Sequence, residues 1–172
     1  QPVGTAAVSF EDRASLGHLI ADSLLEGGKP SGAVVAFMNS GGVRANLEAG
    51  TITYGQASSI LPFRNTLVLL DLTGAEIEAA LGQLAMYPSA GSSYRMVGGK
   101  PQDIVIAGAP LDRAKVYRVA TLSFLAAGGD SVFAFRDAKG ARTDTGKLDI
   151  DLWVEYLRAH PNLRPLPRRT GS

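Results

Sequence analysis

Two histidines, His18 and His160, and no cysteine are available for metal or nucleophilic chemistry, and most of the chain separates them. A metal centre that activates water recruits several His and carboxylate ligands at close spacing, and the sequence has no such cluster. It has no G-x-S-x-G elbow and no phosphate-binding G-x-x-x-x-G-K-[ST] loop either. No catalytic residue and no metal ligand is therefore expected. His18 falls inside an amphipathic stretch and reads as a structural residue. His160 precedes Pro161 at a helix end, where a favourable contact with the helix dipole accounts for it.

Binding chemistry is better represented, because three segments join glycine or proline to recognition residues. Asn39-Ser40-Gly41-Gly42-Val43-Arg44 follows an apolar run. Its glycines let the backbone turn tightly and expose N–H groups, while Arg44 carries a planar cation that can grip oxygens in a bidentate way. Phe124-Leu125-Ala126-Ala127-Gly128-Gly129-Asp130 combines an aromatic face, a sharp turn and a carboxylate; an acidic side chain is a common acceptor for ribose hydroxyls. Pro62-Phe63-Arg64-Asn65 sets another aromatic beside an amide able to bond a base edge. Each segment alone has a plain structural explanation. Glycine loops are mostly turns, and a lone Phe63 or Phe124 would more often be core.

The elements that must position these segments follow from apolar periodicity. Leu16, Leu19, Ile20, Leu24 and Leu25 predict a helix capped by Ser15 and stopped by Gly27-Gly28. Residues 33–38 and 66–72 predict buried strands, and 51–54 a short one. Residues 56–61, 75–86 and 150–159 predict helices; 94–97, 103–106 and 117–122 predict further strands. Helices and strands mix without a strict βαβ rhythm, which indicates an α+β fold, a single compact domain over 1–172 with a mixed β-sheet flanked by helices. Arg164, Arg168 and Arg169 lie in a Pro-rich tail that reads as a solvated end. The formal net charge of +1 with scattered basic residues gives no footprint for a nucleic-acid polymer. No apolar run approaches the roughly 18 residues of a membrane helix, and Gln1-Pro2-Val3 lacks the features of a signal peptide.

Taken in order, these segments resemble the C-terminal domain of the 5'-nucleotidase and UDP-sugar hydrolase family. The resemblance runs through Leu16-Gly17-His18-Leu19-Ile20-Ala21-Asp22, the Asn39–Arg44 loop, Gly50-Thr51-Ile52-Thr53-Tyr54 and Pro62–Asn65. It continues through Leu72-Thr73-Gly74-Ala75-Glu76-Ile77, Tyr117-Arg118-Val119-Ala120-Thr121 and Phe124–Asp130. Residues from about 14 to 158 are covered. The resemblance implies that Phe63 and Phe124 sandwich a nucleobase and that Asp130 holds the ribose hydroxyls. By the same likeness Arg44 contacts the ribose or phosphate side, Asn65 and Asn39 match base-contacting amides, and Gly91 matches a backbone contact near the base.

Two departures from the family pattern stand out. Members carry an arginine about seven residues before the glycine of the first motif, where this chain has Phe10; Arg13 is the nearest arginine. The D-x-H, G-N-H-[DE] and G-H-x-H segments of the family's N-terminal metallophosphoesterase domain do not occur in these residues. The resemblance therefore implies a missing partner domain holding two divalent ions (Zn, Mn, Co or Mg), a nucleoside or nucleotide substrate, and a periplasmic or secreted setting. The rival readings are the same domain in a thiosulfate-oxidising hydrolase, and a non-catalytic interaction module that keeps only the fold. In the last case Phe63 and Phe124 should be buried.

Overall fold

The computed structural model describes residues 1–171. Along the chain run β1 (Pro2–Ala6), α1 (Arg13–Gly28), β2 (Val35–Met38), β3 (Gly50–Thr53), α2 (Tyr54–Ile60), β4 (Thr66–Thr73) and α3 (Gly74–Gln83). Then come β5 (Tyr87–Pro88), β6 (Ser93–Val97), β7 (Lys100–Ile106), β8 (Ala109–Pro110), β9 (Val116–Leu122) and α4 (Ser123–Ala126). The last elements are α5 (Phe133–Asp137), β10 (Arg142–Leu148), α6 (Asp149–Ala159) and β11 (Thr170–Gly171).

The central sheet has the order β10-β4-β9-β2-β5. Its middle is built from the two apolar runs the sequence marks as buried strands and from the strand expected at 117–122. β2 pairs parallel to β9 through Val35↔Val119 and Ala36↔Ala120, and β4 pairs antiparallel to β9 from Leu67↔Leu122 to Thr73↔Val116. The sheet is thus mixed, as expected. A second sheet, β11-β6-β7-β8, and the pair β1-β3 complete the α+β architecture.

Helix α1 is buried along almost its whole length, from Ala14 to Leu25, because it packs on β2 and is covered by α6. A helix covered on several sides must satisfy every polar group it carries. Its cap is Asp12, whose carboxylate accepts from the Ser15 backbone N–H at 2.8 Å. The expected Ser15 cap therefore lies one turn too late: Asp12 is the better acceptor, and Arg13-Ala14 continues the helix without strain.

The tail is the larger correction. Arg169 is not solvated. Its guanidinium forks onto Asp22 of α1, Nη1 to Oδ1 at 2.6 Å and Nη2 to Oδ2 at 2.9 Å, with only 14% and 10% of the two side chains exposed. Nη1 also donates to the Pro88 carbonyl at 3.2 Å. Beyond it, Thr170 and Gly171 pair parallel to β6. Arg164 and Arg168 are exposed, as expected.

His18 sits under this latch, buried and edge-on to Tyr87 with centroids 5.2 Å apart. Burial, and then the Arg169 charge, push its pKa down from 6.5 to about 4. The imidazole is therefore neutral in the native state, and its role is structural. Unfolding lets it take a proton, so the stability it contributes is present above pH 6.5 and is lost as the pH falls through about 4. Urea unfolding at pH 7 and pH 4.5 should show a loss of about 2–3 kcal/mol attributable to this group. In His18→Gln that share of the acid dependence should vanish; an identical pH profile would contradict it. His160 caps α6, stacks on Tyr156 at 4.1 Å and bonds Glu26 at 2.9 Å.

Candidate functional site

Strand direction brings the three recognition segments to one place. β2 and β9 are parallel, so their C-terminal ends share an edge of the sheet, and antiparallel β4 begins at that same edge. Asn39 follows β2, Phe124 follows β9 and Phe63-Arg64-Asn65 precedes β4. Between these segments opens a cavity of about 410 Å³ lined by Asn39, Phe63, Asn65, Phe124 and Asp130, with Gly41, Gly42 and Leu122 closing it. A crevice at the carboxyl ends of parallel strands is a usual seat for a ligand.

Both aromatics are turned outward. Phe63 is 59% and Phe124 48% exposed, so the core explanation does not apply to either. Exposing two phenyl rings to water is unfavourable unless something covers them. Phe124 owes its place to Gly129. A Cβ built there would lie 2.6 Å from three atoms of the ring, a distance no methyl group tolerates. Gly129→Ala should swing the ring aside and weaken binding of a planar ligand by about 1–3 kcal/mol, the value of one aromatic stack. The fold should be untouched, since the ring is half exposed. Titration beside a melting curve checks this; unchanged affinity would show that the position of Phe124 does not matter.

Asp130 stands in the left-handed region at φ 55°, a conformation that costs a non-glycine residue about 1 kcal/mol. The turn that holds it there aims its carboxylate at Asn39. The Asn39 Nδ2 donates to Asp130 Oδ2 at 2.9 Å, and Asn39 is itself buried. One carboxylate oxygen is therefore fixed by the protein, and Oδ1 is left to accept from a ligand hydroxyl. The Asn39 Oδ1 is buried with no protein donor.

Asn65 has a role that its residue type alone does not disclose. Its Oδ1 accepts from the Ser123 hydroxyl at 3.1 Å and from the Phe124 backbone N–H at 2.9 Å, so the amide braces the loop that presents the ring. Ser123 Oγ in turn accepts from the Thr66 N–H at 3.1 Å. On the far side, Arg142 of β10 donates to the Ala126 carbonyl at 2.8 Å and to that of Phe135. Ser123 and Arg142 escape sequence reading, and Gly129 is legible there only as part of a sharp turn. Serine beside phenylalanine forms no pattern, and Arg142 lies in a polar strand.

The remaining candidates are placed differently. Arg44 is exposed at the rim, its guanidinium carbon 6.0 Å from the Phe63 centroid, near the outer reach of a cation–π contact. Phe10, at the position of the family arginine, is a core residue, 1% exposed. Arg13 is exposed and reaches the Val43 carbonyl at 3.3 Å, at the base of the Arg44 loop. Gly91 is not brought to the cavity. It sits in the turn before β6 with φ 85°, and its carbonyl accepts from Gly108 at 2.8 Å.

Chemically the site can stack, accept hydroxyls and attract an anion at its rim. It pairs no nucleophile with a base. Among the described residues no three His, Asp or Glu side chains converge to hold a metal ion, so these residues do not fit a two-metal centre.

A family model described as "5'-nucleotidase, C-terminal domain" matches residues 2–137. Protein UshA of Escherichia coli (strain K12) is 38% identical over 136 residues, covering 74% of this chain and 24% of that protein. The trifunctional nucleotide phosphoesterase protein YfkN of Bacillus subtilis (strain 168) is 34% identical over 164 residues, 84% of this chain and 11% of that one. The crystal structure of a 5'-nucleotidase precursor from Thermus thermophilus matches with a TM-score of 0.91 at 31% identity, over 99% of this chain and 39% of that chain. The chain spans well under half the length of each.

Proposed function

The chain belongs to the family of 5'-nucleotidase C-terminal domains, and from that membership we propose that it is the nucleoside-reading part of a larger metal-dependent phosphoesterase. The base lies between Phe63 and Phe124, the ribose hydroxyls donate to Asp130 Oδ1, and Arg44 faces the phosphate side. Asn39 preorganises Asp130, so no conformational cost falls on the carboxylate when the sugar arrives. The observation that carries this reading is the lining of one cavity by two outward-turned phenylalanines and a carboxylate held by an amide. A thiosulfate-type substrate would leave both rings without a function. A bare interaction module would have buried them.

Hydrolysis is assigned to a second domain that holds two divalent ions (Zn, Mn, Co or Mg). Such ions polarise the phosphoryl group and lower the pKa of bound water; the residues of this chain only bind and orient. Substrates are nucleotides or nucleotide sugars, in the periplasm or outside the cell.

Calorimetric titration of adenosine and of uridine into the 172-residue chain tests the reading, alongside phosphate release from AMP with Mn²⁺, Zn²⁺ or Co²⁺ added. Saturable heats with at least one nucleoside and no phosphate are expected. Absence of heat for both would remove the nucleoside reading, and turnover by pure protein would overturn the assignment of hydrolysis to another domain.

A further inference from the structure

We infer that Arg142, which lines no part of the cavity, is a positioning residue for Asp130 and Phe124: its guanidinium bridges the two ends of the loop that carries the carboxylate and supports the ring. The inference rests on the nucleoside reading above for its affinity readout alone.

Residues 127–132 join α4 to α5. Within them Gly128, Asp130 and Ser131 have φ of 92°, 55° and 65°. Two adjacent non-glycine residues in the left-handed region are strained, and such a backbone persists only where its surroundings enforce it. The main-chain hydrogen bonds here are local. Ala127 N–H donates to the Ser123 carbonyl, Gly128 to Leu125, Val132 to Gly129 and Phe135 to Val132. None of these reaches from α4 to α5.

Arg142 supplies that link. Its Nη1 donates to the Ala126 carbonyl at 2.8 Å, where α4 ends. Its Nη2 donates to the Phe135 carbonyl, and to that of Arg136 at 3.3 Å, both in α5. Carbonyls at a helix end lack intrahelical partners, and a planar cation gives them bonds roughly twice as strong as neutral ones. Among the described residues no carboxylate lies within ion-pair distance of this guanidinium, whereas nearby Arg136 pairs with Asp137.

The base of the side chain is fixed as well. Arg142 stands opposite Leu70 in the β10–β4 ladder, and the Asp71 N–H donates to the Ala141 carbonyl at 2.9 Å. β4 is also the strand into which the Phe63–Asn65 segment leads. One strand therefore locates both walls of the cavity.

The competing explanation is that Arg142 only stabilises the edge of the sheet. That role would lower the melting temperature and leave the affinity of the folded protein unchanged. The 172-residue chain is compared with Arg142→Met, Arg142→Lys and Arg95→Gln by amide NMR without ligand, and by adenosine titration well below melting. Methionine keeps the apolar stem; lysine keeps the charge but lacks the fork that spans two helix ends. Arg95, on β6 of the second sheet, pairs with Asp103 and controls for the lost charge. In both Arg142 variants the Asp130 and Ser131 amide signals should move. Adenosine should bind about ten-fold more weakly, as follows when the competent loop falls to about a tenth of the population. Arg95→Gln should change neither readout.

Unmoved Asp130 and Ser131 signals in Arg142→Met, or an affinity equal to that of the unmodified chain, overturn the inference. An equal loss in Arg95→Gln overturns it too. Should the Arg142 variants not fold, the unmodified protein decides. NOEs from the Arg142 guanidinium protons to the α protons of both Ala127 and Arg136 support the inference, and contacts to one end only or to neither defeat it. Failure of the unmodified chain to bind adenosine or uridine strikes the nucleoside reading alone, because the amide signals need no ligand.

Discussion

Phe124→Ala is expected to weaken nucleoside binding by one to two orders of magnitude while the melting midpoint moves little. A base stacked on an aromatic ring gains about 1–3 kcal/mol, and each 1.4 kcal/mol is ten-fold in affinity. The ring is half exposed and rests on Gly129 and not inside the apolar core, so its removal opens no interior void of the kind that destabilises proteins. Phe63→Ala should behave alike, since that ring is more exposed still. Calorimetry on both variants measures the effect. Affinities equal to that of the unmodified chain would mean that the rings face solvent for another reason.

The second large effect is on stability. Asp22→Ala should cost about 3–5 kcal/mol, the usual penalty for removing one member of a buried pair and leaving the other charge uncompensated. Arg169 would keep its cation in the space between α1 and the Pro88 turn, facing the His18 and Pro88 carbonyls. The Ala90 N–H, which donates to Asp22 Oδ1 at 2.7 Å, would also lose its acceptor. For a domain of this size that corresponds to a fall in melting temperature of roughly 10 °C. Asp22→Ala combined with Arg169→Met should recover much of it, because the orphaned cation goes too. A single variant as stable as the original would mean the tail is not held by this pair.

The fold and the site were legible to different depths, for physical reasons. β2 and β4 declare themselves because strands buried on both faces are almost continuously apolar. β10 does not: Arg142-Thr143-Asp144-Thr145-Gly146-Lys147 is polar throughout, as an edge strand facing water should be. Arg169 misleads for a related reason. A charged residue among prolines looks solvated until the acid that neutralises it, 147 residues away, is known. At the site, Phe63, Phe124, Asp130 and Asn39 could be named because each is an aromatic or polar side chain in a Gly- or Pro-bearing loop, and the chain direction of three strands gathers those loops around one cavity. Asn65 was legible as a residue but not as a brace, since its partner is a backbone N–H that no side-chain pattern encodes. Gly91 fits its motif, yet its turn folds against Gly108.

The account turns on whether a flat heterocycle enters between the two rings. With adenosine bound to the isotopically labelled chain, intermolecular NOEs from the adenine H2 and H8 protons should reach the ring protons of both Phe63 and Phe124, and both base signals should shift upfield. NOEs to neither ring, or shift changes confined to residues outside the β2, β4 and β9 edge, would contradict it.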